Sequence, residues 1–185
     1  MDVSDETLML RAGRGDRAAC QLLVERHLGS IVTFAHRALG DRSEADDAAQ
    51  EVFLRVWSAA PRWKHGSARF RTWLYRVALN VCLDRLAKAR RAMPHGDELQ
   101  PERRGEPFAT FHASEVSRHV GAALAELPDA QRIALTLCHY QGLRNVEAAD
   151  VMGVSVEALE SLLARGRRSL RGRLRTIAPA LMGAG

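Results

Sequence analysis

Apolar residues recur at spacings of three and four along almost the whole chain, and nowhere do β-branched residues alternate with polar ones over a strand's length. The chain is therefore expected to be all-α. The pattern lapses once, between Met93 and His112, where Pro94, Pro101, Pro107, Gly96, Gly105 and the charged run Glu102-Arg103-Arg104 leave little to bury. That composition reads as a flexible linker over residues 93–112. It separates an N-terminal unit of residues 1–92 from a C-terminal unit of residues 113–178. A chain of 185 residues is long enough for each unit to bury a core.

In the first unit, Leu22, Leu23 and Arg26, then Ile31, Val32, Ala35 and Leu39, suggest two helices broken near Gly29. Ser43, with Asp46 three residues on, reads as the cap of a third helix. Ala45, Ala48, Ala49, Val52, Phe53 and Val56 make its buried stripe. The opposite face carries Asp47, Gln50, Glu51 and Leu54 at spacings of three and four, a solvated face or, with a leucine among acids, a docking surface. Pro61 ends that helix, residues 63–69 read as a loop, and a long helix is expected from Phe70 to Arg91. Leu74, Val77, Ala78 and Val81 form its inward stripe.

Six of the ten aromatic residues lie in the same region: Phe53, Trp57, Trp63, Phe70, Trp73 and Tyr75. Arg55, Arg62, Lys64, Arg69, Arg71 and Arg76 stand among them. Rings among cations suit unstacked bases beside a phosphate backbone, because each base can stack on a ring while Arg and Lys neutralise the strand. The plainer reading is that the rings are core. Trp73, Arg76 and Asn80 share a line on the helix, a ring, a guanidinium and an amide able to read a base.

In the second unit a helix is expected from Pro128 to Gln141, stopped by Gly142. Asn145 then caps a helix, Gly153 permits a left-handed turn and Ser155 caps the next helix. Ala149 allows a close crossing, and Val154, Leu159 and Leu162 or Leu163 close the core. This is the grammar of a helix-turn-helix, which lays its second helix in the DNA major groove, although a plain helical hairpin could imitate it. Six arginines follow between residues 165 and 175, whereas Asp41, Glu44, Asp46, Asp47 and Glu51 cluster early. One pole suits DNA and the other a protein.

The formal net charge of +5 favours a polyanionic partner only weakly. Cys20, Cys82 and Cys138 stand singly, without zinc-site or disulfide spacing, so reduced thiols and no metal are expected; Cys138-His139 lies inside an apolar helical run. No signal-peptide pattern and no membrane-length apolar stretch appears, which points to the cytoplasm. With no nucleophile motif, phosphate loop or metal spacing, neither an enzyme nor a cofactor is expected.

The order of these parts resembles the bacterial RNA polymerase sigma factors, specifically the small extracytoplasmic-function group. Residues 46–57 resemble the family's polymerase-docking segment, which implies that Asp47, Gln50, Glu51 and Leu54 meet core RNA polymerase. Residues 70–80 resemble the segment that melts and reads the minus-ten element. That implies promoter contacts from Trp63, Lys64, Arg69, Phe70, Arg71, Trp73, Arg76 and Asn80, with a captured base in the 63–70 loop. Residues 127–168 resemble the domain for the minus-thirty-five element, implying contacts from Ser155, Glu157, Ala158, Ser161, Arg165 and Arg168. Glu160 and Leu162 flank Ser161 where the family commonly places lysine and arginine, so upstream preference does not follow from relatives. The resemblance also implies an anti-sigma factor as a partner. A stand-alone helix-turn-helix regulator is the alternative; it leaves the acidic helix and the aromatic cluster without a task.

Overall fold

The computed structural model describes residues 3–64, 69–92 and 115–182, and all regular structure among them is helical. The expected linker and the centre of the 63–69 loop lie outside the described residues. The first helix, α1 (Asp5–Ala12), was not expected from the apolar pattern. Ser4 caps it by accepting the Thr7 N–H at 3.3 Å, and Asp5 and Glu6 sit at its positive end. Leu8 and Met9 anchor it in the core.

The second helix, α2 (Arg17–Leu39), is continuous through Gly29, contrary to the expected break. A helical glycine costs about 1 kcal/mol. Leu23 before it and Ile31, Phe34, Ala35 and Ala38 after it are all buried on one side, and burial contributes roughly 1.5–3 kcal/mol for each large apolar side chain. Packing therefore outweighs propensity. The third helix, α3 (Arg42–Ala59), is capped by Asp41, whose Oδ1 accepts the Glu44 N–H at 2.8 Å, rather than by Ser43. Its six expected stripe residues are all buried.

A 3₁₀ turn, Ala60–Arg62, closes α3 around Pro61, and α4 runs from Phe70 to Ala92. The first N–H of α4, on Phe70, is donated to Glu6 Oε1 at 3.0 Å, so α1 supplies the cap of a helix 64 residues away in sequence. That hydrogen bond holds the Glu6 carboxyl below its ordinary range.

The C-terminal unit comprises α5 (Glu115–Ala125), α6 (Asp129–Leu135), a π-helical turn (Thr136–Tyr140), α7 (Asn145–Met152) and α8 (Val156–Met182). The single helix expected over 128–141 is thus interrupted by the π turn. Arg144, not Asn145, is the N-terminal cap of α7: its N–H donates to Glu147 Oε2 at 3.0 Å. Gly153 adopts φ 65°, as the turn requires, and Ser155 Oγ accepts the Ala158 N–H at 3.1 Å. Leu159 and Leu163 close the core, whereas Val154, expected there, is exposed. On α8, Gly166 allows α6 to approach closely; a Cβ at that position would lie 2.9 Å from Leu135 Cδ1.

The two units lie against each other. Their buried side chains, from Leu8 to Leu163, form one continuous apolar cluster, with α7 packed on α4 and α6 on α2. Arg132 on α6 is 3 % exposed and spans the junction: it donates to the carbonyl of Ala38 on α2 at 2.8 Å and to Asp129 Oδ1 at 2.6 Å. The Arg37 guanidinium sits 3.7 Å from the centroid of the Tyr140 ring, a cation–π contact between α2 and the π turn.

Candidate nucleic-acid interface

The aromatic residues divide into core and partly open rings. Phe70 is fully buried and cannot reach a base, so its place among the expected promoter contacts is corrected: it is the floor of a ring cluster. Trp63 and Trp73 are half-buried and meet edge to face at 4.9 Å between centroids, with Phe70 at 5.9 and 6.0 Å beneath them. His27, hydrogen-bonded to Asp5 Oδ2 at 2.8 Å, packs on the other side of Phe70. The Trp63 Nε1–H is buried without a partner among the described residues. Tyr75 is 1 % exposed and packs edge-on against Phe34. Phe53 is likewise buried.

Three cations at and just before the start of α4 are turned toward the C-terminal unit. Arg69 lies 3.5 Å from Glu147 Oε1, Arg71 donates to the Gln141 carbonyl, and Arg76 donates to the Asp150 carbonyl at 2.7 Å and pairs with the Asp150 carboxylate. Beneath them the Tyr75 O–H donates to Gln141 Oε1 at 2.7 Å, a buried hydrogen bond. Lys64 and Asn80 are exposed. Three of the eight residues expected at the minus-ten element therefore touch the chain's own C-terminal half.

On the helix-turn-helix, Ser155, Glu157, Ala158, Ser161, Arg165 and Arg168 are all exposed and lie in the turn or along one stretch of α8. Ser155 caps that helix, which fixes its direction. Leu162 is half-buried against the core and takes a packing role. Glu160 is exposed and accepts from Asn145 Nδ2 at 3.3 Å, which ties α8 to α7. Hydrogen bonds from Arg144 hold the Glu147 carboxyl below its ordinary range.

The acidic face of α3 points outward. Asp47 and Gln50 are exposed, and Leu54 keeps 60 % of its surface in solvent. Glu51 has a second task that its sequence position hid. It accepts from Arg55 at 2.6 Å and from Arg85 of α4 at 3.2 Å, and Arg85 also reaches Glu44 at 2.7 Å. Partial burial opposes the charge on Glu51, but hydrogen bonds from Arg55 and Arg85 outweigh it and keep the carboxyl below its ordinary range. Among the described residues no His, Cys, Asp and Glu group could hold a metal ion, and no helix is long and apolar enough to cross a membrane.

A helix bundle with rings and cations on one helix, joined to a helix-turn-helix, defines a class of transcription initiation protein. Residues 23–92 match the family model of Sigma-70 region 2, and residues 117–170 match that of Sigma-70, region 4. The RNA polymerase sigma-H factor of Pseudomonas aeruginosa is 33% identical over 183 residues, covering 90% of this chain and 91% of that protein. The ECF RNA polymerase sigma factor SigE of Mycolicibacterium smegmatis is 32% identical over 164 residues, covering 85% of this chain and 63% of that protein. A solved structure of CnrH in complex with the cytosolic domain of CnrY superposes with a TM-score of 0.69 at 28% identity, covering 93% of this chain and 97% of that one. The chain belongs to the extracytoplasmic-function group of RNA polymerase sigma factors. It is a promoter-directing initiation factor of RNA polymerase.

Proposed function

We propose that residues 1–92 dock on core polymerase and open the minus-ten element, while residues 113–178 bind the minus-thirty-five element. Asp47, Gln50 and Leu54 on α3 meet the polymerase, with Glu51 holding α3 to α4 behind them. Trp63, Trp73, Arg76 and Asn80, with Lys64, Arg69 and Arg71, take the melted strand. Ring faces offset unstacking, which costs a few kcal/mol for each flipped base. Ser161 meets a base edge, and Arg165 and Arg168 meet phosphates. The protein acts in the cytoplasm, performs no chemical step of its own and is held by an anti-sigma factor. An assembly of this kind is named for a solved structure of similar fold, a sigma factor RpoE with the anti-sigma factor NepR of Bartonella quintana, at TM-score 0.68 and 20% identity over 84% of this chain and 96% of that one.

The observation that carries this reading is the exposure of the whole candidate set on α8 together with an open acidic face on α3. Run-off transcription with core polymerase tests it. Trp73→Ala and Asn80→Ala should impair a duplex promoter more than a template with a pre-formed bubble, and equal losses on both would remove the melting role. Asp47→Arg should abolish capture of core polymerase while helicity by circular dichroism stays unchanged. Retained capture would take the docking assignment away from α3.

A further inference from the structure

Trp63 and Trp73, the two rings assigned to the melted strand, stand on different elements, the end of the 3₁₀ turn and the first turn of α4. Their edge-to-face contact at 4.9 Å therefore depends on what holds that turn against that helix. Helix α1 grips both. At its N-terminal end Glu6 Oε1 accepts the Phe70 N–H at 3.0 Å, which fixes the start of α4 one turn before Trp73. Asp5, beside it, is bound at 2.8 Å to both His27 Nε2 and Arg26 of α2, and the His27 ring backs Phe70 with centroids 5.5 Å apart. At its C-terminal end Gly13 lies against the backbone of the 3₁₀ turn, where a Cβ would stand 2.3 Å from the Ala60 carbonyl oxygen. That same oxygen accepts the backbone N–H of Trp63 at 3.1 Å. Leu8 and Met9, both fully buried, seat α1 between the two grips.

We propose that α1 is a brace that sets Trp63 against Trp73, and that Glu6 and Gly13 are positioning residues for strand opening. Each acts through a tryptophan: Glu6 through the start of α4, and Gly13 through the Ala60 carbonyl. Eight helical residues make a rod of about 12 Å, short enough that its two ends move together. Rings held at a set spacing meet an unstacked base without first having to be ordered, so less of the stacking energy is lost to conformational entropy. This rests on the assignment of Trp63 and Trp73 to the minus-ten strand.

The test uses holoenzyme, core polymerase with the full chain, on a duplex promoter and on the same template with a pre-formed bubble. Glu6→Ala removes the acceptor, whereas Glu6→Gln keeps one. Gly13→Ala sets a methyl group on the Ala60 carbonyl; Gly13 is in the right-handed helical region at φ −63°, so its backbone accepts alanine and the contact alone is changed. Circular dichroism establishes that each variant is folded, and Glu6→Ala decides alone if Gly13→Ala is not. Both alanine variants should slow opening of the duplex about tenfold, as when one chain in ten keeps its rings in place, and affect the bubble template much less. Glu6→Gln should open the duplex at the parent rate. In the free chain the exciton couplet of the Trp63 and Trp73 indoles, identified by its loss in Trp73→Ala, should weaken in both alanine variants and persist in Glu6→Gln.

Opening at the parent rate by a folded alanine variant overturns the brace, and so does slow opening with an intact couplet. Equal losses on duplex and bubble reduce α1 to a stabilising helix and overturn it too. Slow opening by Glu6→Gln would assign the effect to charge rather than to the Phe70 hydrogen bond, with the same result. Trp73→Ala on the duplex separates this from the assignment beneath it. If that variant is slow while Glu6→Ala and Gly13→Ala are not, the brace falls and the minus-ten assignment stands; if it opens the duplex at the parent rate, the assignment falls with the brace.

Discussion

The arginines at the start of α4 and the first two marked for DNA on α8 are the same side chain in opposite situations. Arg69, Arg71 and Arg76 are engaged by carboxylates and carbonyls of the other half of the chain, whereas Arg165 and Arg168 lie along an exposed helix and make no contact with the N-terminal half among those described. A cation's availability is decided by what tertiary packing sets beside it, and composition carries no trace of that. The rings repeat the lesson. Phe70 is core and Trp73 is half open, three residues apart on one helix.

The largest effect that could break this comparison is on the rings. Phe70→Ala removes a fully buried side chain and should lower stability by about 3–5 kcal/mol, read as a fall in the denaturant midpoint. Trp73→Ala should cost clearly less stability and more strand opening. If the two variants unfold at the same denaturant concentration, the division between floor and open ring fails.

Next is the salt dependence of duplex binding by the free chain. Arg168→Ala should flatten the slope by about 0.9, one phosphate contact, while Arg76→Ala should leave it unchanged because Asp150 already neutralises that cation. Equal flattening by both would place Arg76 in the open. Replacing Ser161 should change which upstream sequence is preferred with little effect on the slope.

Smaller still is Glu51→Gln, which weakens a half-exposed tie to Arg55 and Arg85 and should cost less than about 1 kcal/mol. Asp47→Gln, on the open part of α3, should leave thermal stability alone and weaken polymerase capture.

The smallest is a pH effect at the base of α4. Glu6 titrates below its ordinary 4.5 when folded, chiefly because it accepts the Phe70 N–H. Its contribution to stability is therefore complete above pH 4.5 and is lost as the pH falls through the lower folded value. Glu6→Gln should flatten the acid limb of a stability–pH curve in that window. An unchanged limb would mean that α1 does not hold α4 through this carboxylate.

Features written locally were legible in the sequence. The buried stripe of α3, the bounds of α4, and the Gly153 and Ser155 turn each depend on residues within a few positions of one another. Helix α1 was written as plainly, by Ser4, Asp5, Glu6 and Gly13, but its short apolar pattern hid it. Gly29 misled because its penalty is local and the packing of Phe34 and Ala38 that overrides it is not. The cap on Phe70, the tie from Glu51 to Arg85 and the seat of Gln141 join residues 34 to 66 positions apart, and no periodicity encodes such pairings.

The π turn at Thr136–Tyr140 acts on phase. Its wider loop, closed by the Gln141 N–H on the Thr136 carbonyl at 3.0 Å, adds a residue to one turn and so rotates everything after it by about 100° relative to α6. That rotation aims Gln141 at Tyr75 and sets Tyr140 under Arg37, while Ile133 and Leu137 keep their places in the core. The turn thus serves the interior, through buried Thr136 and Leu137, and the contact between the halves, through Tyr140 and Gln141. Deleting one residue there would turn the faces that carry Tyr140 and Gln141 away from Arg37 and Tyr75 and displace Leu137 from the core, so chain length at this single point sets both packing and contact.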